Sequence, residues 1–408
     1  MSATIAIYVH LPWCVRKCPY CDFNSHARPD VLPEMDYVAA LLADLEGDLD
    51  LAAGREVGSV FLGGGTPSLF GIEAIASLLA GLAARLPFSS DVEITMEANP
   101  GTVEHGRFSG YAAAGVNRVS LGAQSFDAAM LRALGRIHGP GEIAVAVDEL
   151  IAAGLANFNL DLMYALPRQR REGAAADLAA AIALGPAHIS HYQLTLEPGT
   201  VFYRCPPPLP DDDLAYDMQV DSESRLAAAG YAQYEVSAYA RPGRQCRHNL
   251  NYWRFGDYLG IGAGAHGKAT VDGAVIRTEK PRSPRAYLQG GGRQGATRRA
   301  VSPAELPFEF MLNALRLTEG FAMADFERRT GLPAAAVAPK LAEYAERGLV
   351  ATERDRYRAT TLGLRFLNDL LAGFLPDENA RRSPAELYTA PSRFAPDRDF
   401  RHIVSEVR

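Results

Sequence analysis

A strand–helix alternation, repeated six times over the first half of the chain, is what most limits the folds open to it. β-rich runs fall at 4–10, 57–62, 92–97, 116–121, 157–163 and 188–194. Apolar residues at helical spacing lie between several of them, at about 34–53, 71–86, 141–153 and 172–184. Strands spaced this widely have room for a helix in every crossover, which is what parallel pairing requires. The pattern predicts an α/β domain with a parallel sheet. Periodicity alone leaves a doubly wound sheet and an incomplete barrel equally open.

The polar residues sharpen this picture. Cysteines follow the first run, and Gly63-Gly64-Gly65-Thr66-Pro67 follows the second. Glu97 closes the third, Gln124 follows the fourth, and Asp161 lies in the fifth. In parallel α/β folds the carboxyl ends of the strands share one face, and active sites form there. These residues are therefore expected on one surface.

The cysteine run is His10-Leu-Pro-Trp-Cys14-Val-Arg-Lys-Cys18-Pro-Tyr-Cys21-Asp-Phe23. Pro12 and Pro19 exclude a regular helix, so the three thiols sit on a loop that can fold back on itself. Three thiolates for a four-iron cluster leave one iron open to a non-protein ligand, as a reactive cluster needs. A structural zinc site with His10 or His26 as fourth ligand is the alternative, but zinc ligands usually come as two separated short pairs and no second pair is present. The glycine run reads either as a tight turn or as backbone that a ligand approaches closely. Pro67 lacks an N–H, which favours carbonyls as the contacting groups. A carboxylate such as Glu97 or Asp161 suits an ammonium or a ribose diol, and Arg136 suits a carboxylate held by a bidentate fork.

Beyond residue 200 the chain runs through Cys205-Pro-Pro-Pro-Leu-Pro210, read as a hinge, into a helix at about 211–229 and a strand at 234–239. Cys246-Arg-His248-Asn249-Leu-Asn-Tyr252-Trp253 follows, then five glycines from Gly256 to Gly267. A histidine among aromatics can ligate the metal of a flat macrocycle, with His191 as a second contact; an ordinary buried turn is the plainer reading. Cys205 and Cys246 read as free thiols. Gly290-Gly-Gly292, with Arg298 and Arg299, reads as a linker. From about 305 the pattern is helical at 305–317, 321–330 and 335–347, with a hairpin of 349–352 against 357–360 and a helix at 361–374, together resembling a winged helix. The expected divisions are 1–240, 241–300, 301–376, and a tail at 377–408 read as a surface or disordered segment.

A net charge of -7 argues against nucleic acid as a partner. No run approaches the ~18 apolar residues of a membrane span. Met1 to His10 lacks a secretion signal, and five cysteines with three crowded together fit a reducing compartment, so a cytoplasmic location is expected.

Cys14-x3-Cys18-x2-Cys21 followed by Gly-Gly-Gly-Thr-Pro resembles the radical S-adenosylmethionine (SAM) proteins. Leu121-Gly-Ala-Gln-Ser-Phe, Leu134-Gly-Arg-Ile-His138 and His248-Asn-Leu-Asn-Tyr-Trp253 are similar to the coproporphyrinogen oxidase-like branch, and within it most similar to the HemW-type haem chaperones. The resemblance covers residue 5 to about 375. It implies a partial (β/α)6 barrel with a small, mainly helical C-terminal domain, and a [4Fe–4S] cluster on Cys14, Cys18 and Cys21. It further implies a SAM pocket lined by Tyr8, Tyr20, Gly64, Gly65, Thr66, Glu97, Gln124, Arg136 and Asp161, and a haem contact at His248. Haem as cargo, apo-haemoproteins such as respiratory enzymes as recipients, and a homodimer follow from the same likeness; membrane contact is expected through partners only. The oxygen-independent coproporphyrinogen III oxidases resemble the chain too, and decarboxylation of porphyrinogen propionates is the alternative activity. Those oxidases carry a further cysteine two residues after the third ligand, where this chain has Phe23, and an N-terminal extension. Close relatives also tend to have glycine where Ala165 and Arg168 stand.

Overall fold

The computed structural model of the protein describes residues 4–101 and 106–376; the tail expected at 377–408 lies outside the described residues. Six strands form the expected parallel series: β1 (Thr4–Leu11), β2 (Glu56–Gly64), β3 (Phe88–Ala98), β4 (Arg118–Gln124), β5 (Phe158–Tyr164) and β6 (His188–Gln193). Each pairs in parallel with the next in chain order. Helices Glu34–Ala52, Ile72–Ala83, Phe108–Ala113, Pro140–Ala152 and Arg171–Ala183 fill the crossovers. β1 and β4 are buried along almost their whole length, as strands covered on both faces must be. Outward side chains of the parallel series, such as Ile7, Val9, Leu62, Met96, Val119 and Leu160, join the inner faces of the helices in one core. The inward faces are polar: Ser59, Glu93, Thr95, Arg118, Asn159 and His188 are all buried.

In the sheet, three sequence-based expectations change. The single strand at 234–239 is two, β7 (Ala232–Glu235) and β8 (Ala238–Ala240), which reverse on each other and add antiparallel strands beyond β6. Segment 241–300 is more than a connector. It supplies β9 (Tyr258–Ile261), a seventh parallel strand on the free edge of β1, and then antiparallel β10 (His266–Val271), β11 (Ala274–Glu279) and β12 (Thr297–Ala300). Among the described residues the sheet reads β12-β11-β10-β9-β1-β2-β3-β4-β5-β6-β8-β7, twelve strands that do not close on themselves. The supposed linker at Gly290–Gly292 is close-packed: Gly292 has φ +78°, and a Cβ there would lie 2.1 Å from the Ala40 carbonyl. Ion pairs clamp this segment to the helix Glu34–Ala52. Lys280 lies 2.6 Å from both Asp44 and Asp48, all three buried, and Arg298 binds Asp48 and Asp50. Removing one partner of such a buried pair costs about 3–5 kcal/mol.

The C-terminal module has its own core around Phe310, Phe326, Leu341 and Leu370. It contains helices Leu306–Ala314, Met323–Thr330 and Ala338–Glu346 with the hairpin Val350–Glu353 and Arg356–Ala359. The short strand Phe321–Ala322 completes a three-stranded sheet, the winged-helix arrangement. The helix expected at 361–374 breaks at Phe366 into Thr361–Arg365 and Leu367–Ala372. Arg277 of β11 bonds Glu309 at 2.7 Å and Tyr258 at 3.0 Å, and Arg316 bonds Glu235 at 3.0 Å and stacks on Trp253. The module is thus fastened to the sheet by buried charge pairs.

Candidate cluster and cofactor cleft

The carboxyl ends of β1 to β6 surround a cleft. β1 ends at Leu11, and the chain then turns through the cysteine loop, whose strands Trp13–Cys14 and His26–Ala27 pair in parallel. The glycine run at the end of β2 packs under this loop. Gly65 N–H donates to Leu11 O at 2.8 Å and Thr66 N–H to Trp13 O at 2.8 Å. A Cβ on Gly64 would meet the His10 ring at 2.6 Å, and one on Gly65 would meet the Trp13 backbone at 2.6 Å. The glycines are therefore required by close approach of two segments of the chain itself. Gly64 N–H is also taken, by Glu97 Oε2 at 3.1 Å, so carbonyl oxygen is what the run has to offer a ligand.

All three loop cysteines line the cleft, each half-buried and each with a donor beside its sulfur. Thr66 Oγ1 donates to Cys14 Sγ at 3.6 Å, Arg136 Nη1 to Cys18 Sγ at 3.8 Å, and Ser25 Oγ lies 3.6 Å from Cys21 Sγ. Burial pushes the Cys14 thiol up and the Cys21 thiol to about 11. Such thiols become thiolates when a metal centre supplies positive charge. A mononuclear site needs its ligands within about 2.3 Å of one ion. Among the described residues no three His, Cys, Asp or Glu side chains meet that way. Three cysteines lining one cleft suit a four-iron cluster, with one thiolate per iron.

Behind the sulfurs, the wall is built from strand ends. Asn99, one residue past β3, donates to Thr66 Oγ1 at 3.0 Å and accepts from Arg136, whose Nη2 also donates to Gly122 O at 2.8 Å. A register shift between Leu121 and Gln124 and a φ of +67° at Gln124 mark an irregular end to β4, and Gln124 lines the cleft there. Tyr192 OH donates to Gln124 Oε1 at 2.9 Å and fixes the amide. Asp161 accepts from Ser120 Oγ at 3.1 Å and Asn159 Nδ2 at 2.7 Å. Desolvation raises Asp161, and desolvation together with the Asp161 charge lifts Glu97 to about 8. The cleft thus carries two carboxyl groups whose charges a cationic ligand would favour.

Comparison with known proteins supplies the family. Residues 8–179 match the model of the radical SAM superfamily, and residues 301–366 match the HemN C-terminal domain. The chain is 52% identical over 374 residues to the heme chaperone HemW of Escherichia coli, covering 91% of this chain and 98% of that protein. The chain belongs to the HemW family. A heme chaperone HemW from Mycobacterium tuberculosis is 38% identical over 86% of this chain and 92% of its own length. Among solved structures, the coproporphyrinogen III oxidase HemN of Escherichia coli superposes with a TM-score of 0.76 at 23% identity, covering 91% of this chain and 90% of that one. That likeness shows the shared fold: a radical SAM α/β sheet with a small C-terminal domain.

Of the residues expected in the SAM pocket, Tyr20, Gly64, Gly65, Thr66, Glu97, Gln124, Arg136 and Asp161 all line the cleft of this HemW-family chain. Three readings change. Arg136 is not a free two-pronged carboxylate clamp, because Nη1 faces Cys18 and Nη2 is held by Asn99 and Gly122. Tyr8 is not among the lining residues; its OH bonds His10 Nδ1 at 2.9 Å and its ring packs on Phe61 inside the sheet. His248 presents no face to the cleft or to solvent. It is 1% exposed on the helix Arg247–Trp253, with Nδ1 3.0 Å from Ser59 Oγ and its ring stacked on Phe61 at 5.1 Å. Burial lowers it to about 3. A haem macrocycle has no approach to this imidazole as folded. His191 is buried against Tyr164. Sequence reading passed over Asn99, Ser120 and Tyr192; their signal was position at strand ends, the same signal that exposed Glu97 and Gln124.

Proposed function

We propose that this chain is a haem chaperone that binds haem and hands it to apo-haemoproteins, respiratory enzymes among them. In this reading it carries a [4Fe–4S] cluster on Cys14, Cys18 and Cys21 and SAM in the adjoining cleft. The supporting observation is the 52% identity to the heme chaperone of Escherichia coli across 91% of the chain. Bound together, cluster and SAM would supply one-electron chemistry. The protein's own part is to hold them. Thr66, Arg136 and Ser25 stand beside the three sulfurs, Glu97 and Asp161 offer carboxyl groups to a cationic ligand, and Tyr192 fixes Gln124. The same reading takes the protein to be cytoplasmic and homodimeric; among the described residues no helix is long and apolar enough to cross a membrane.

Phe23 separates this reading from the oxidase. It lines the cleft with Cys21, so a phenyl ring occupies the position at which the oxidases resembling this chain carry a further cysteine. Anaerobic reconstitution of the cluster followed by separate additions of haem and coproporphyrinogen III tests the assignment. Stoichiometric haem binding with all of the porphyrinogen propionates left intact is expected. Formation of protoporphyrinogen IX would overturn it.

A further inference from the structure

We infer that Asn24 is the positioning residue that sets the three cysteines of the loop from below, by locking them to the segment 262–282. The inference rests on the cysteine-loop assignment above and concerns a residue that does not line the cleft.

Asn24 lies three residues after Cys21, and its polar groups are engaged on several sides. Nδ2 donates to Ala263 O at 2.8 Å and to Arg282 O at 2.9 Å, 239 and 258 residues further along the chain. Oδ1 lies 3.3 Å from His26 Nε2, and the Asn24 carbonyl lies 3.0 Å from His10 Nε2. The side chain thus joins the far end of the cysteine loop to the turn between β9 and β10 and to Arg282 beyond β11, while the main-chain carbonyl meets His10 at the end of β1. The fit is tight on both sides. Gly264 has φ +82°, and a Cβ there would stand 2.2 Å from Asn24 Nδ2. The segment beneath is itself rigid: Ala263 N–H donates to Tyr37 OH, which donates to His10 O, and Gly262 N–H donates to buried Asp44.

The two amide donors bind backbone carbonyls, and a carboxylate in their place would face both carbonyls with like partial charge. Asn24→Asp therefore loses the lock while keeping size and shape. Groups bonded directly to metal ligands govern affinity by about 10–100-fold, and Asn24, which bonds the loop and its support but no cysteine, belongs at the low end of that range. In Asn24→Ala and Asn24→Asp, loss of the reconstituted cluster to a chelator is expected to be about tenfold faster than in the wild type.

Asn117→Ala is the control for a purely structural effect. Asn117 makes a similar pair of bonds, to Val92 O and Ile94 N, away from the cysteine loop. It is expected to retain the cluster like wild type. Amide hydrogen exchange over residues 14–28 of the cluster-free chain gives an independent readout: faster in both Asn24 variants and unchanged in Asn117→Ala. Wild-type cluster retention and exchange in Asn24→Asp would overturn the inference. Failure of the wild type itself to take up a cluster would count against the proposed function instead, and the exchange measurement would still decide the role of Asn24.

Discussion

Arg136 Nη1 lies 3.8 Å from Cys18 Sγ, which brings a guanidinium directly to one of the three loop sulfurs. The side chain is held there from behind by Asn99 and by Gly122 O. A nearby cation favours the more negative, reduced state of a cluster. Removing it in Arg136→Gln is therefore expected to make the cluster harder to reduce, by about 50 mV, since ~59 mV corresponds to tenfold for one electron. Arg136→Lys should not restore the potential fully, because an ammonium cannot reproduce the planar fork. A redox titration followed by electron paramagnetic resonance reads the shift, and an unchanged midpoint in Arg136→Gln would refute the electrostatic role.

Glu97 makes the ligand-free protein sensitive to pH. Its carboxyl rises from 4.5 to about 8 through desolvation and the neighbouring Asp161 charge. The folded state therefore holds a proton over that interval while the unfolded state has released it. Stability from this group is fully present below pH 4.5 and is lost as pH rises towards 8, at up to about 1.4 kcal/mol per pH unit. Glu97→Gln should flatten the dependence of Tm on pH between 5 and 8 and make the ligand-free chain more stable than wild type at pH 8. In the wild type, SAM should bind more tightly at pH 8 than at pH 6, because a cationic ligand favours the ionised carboxylate. Parallel melting curves for the two proteins that fall equally with pH would remove Glu97 as the cause.

How much of this was legible before folding follows from the range over which each signal acts. The six parallel strands and the polar residues at their ends were readable because period and position are local properties. The strand β9 was not. Tyr258–Ile261 is short, lies among glycines, and finds its partner β1 some 250 residues earlier, so nothing nearby in sequence marks it. The same holds for Asn24, whose partners are Ala263 and Arg282. The burial of His248 was not legible for a different reason. Aromatic neighbours signal a macrocycle site and a buried core equally well, and only tertiary packing, here Ser59 and Phe61, tells them apart. Arg136 lines the cleft with its guanidinium already engaged by Cys18, Asn99 and Gly122, since residue type fixes what a guanidinium can do and not which partner reaches it first.

The loop after β5 shows a local departure that was legible and has a measurable cost. Ala165 and Arg168 adopt φ of +55° and +61°, in the left-handed region that glycine occupies freely, and these are the positions at which glycine was expected from the family resemblance. A side chain with a Cβ costs roughly 1–2 kcal/mol there, partly offset by the greater freedom that glycine has in the unfolded chain. Arg168 is exposed, and its backbone N–H donates to Pro208 O at 2.9 Å, a bond that any non-proline residue keeps. Arg168→Gly is therefore expected to stabilise the protein by about 0.5–1 kcal/mol in equilibrium denaturation. Arg168→Ala, which retains the Cβ, should give no comparable gain. Ala165→Gly should gain less than Arg168→Gly, because the Ala165 methyl is buried beside Tyr164 and Met218 and its loss removes packing. Equal effects of glycine and alanine at 168 would show that the backbone conformation is not the source of the strain.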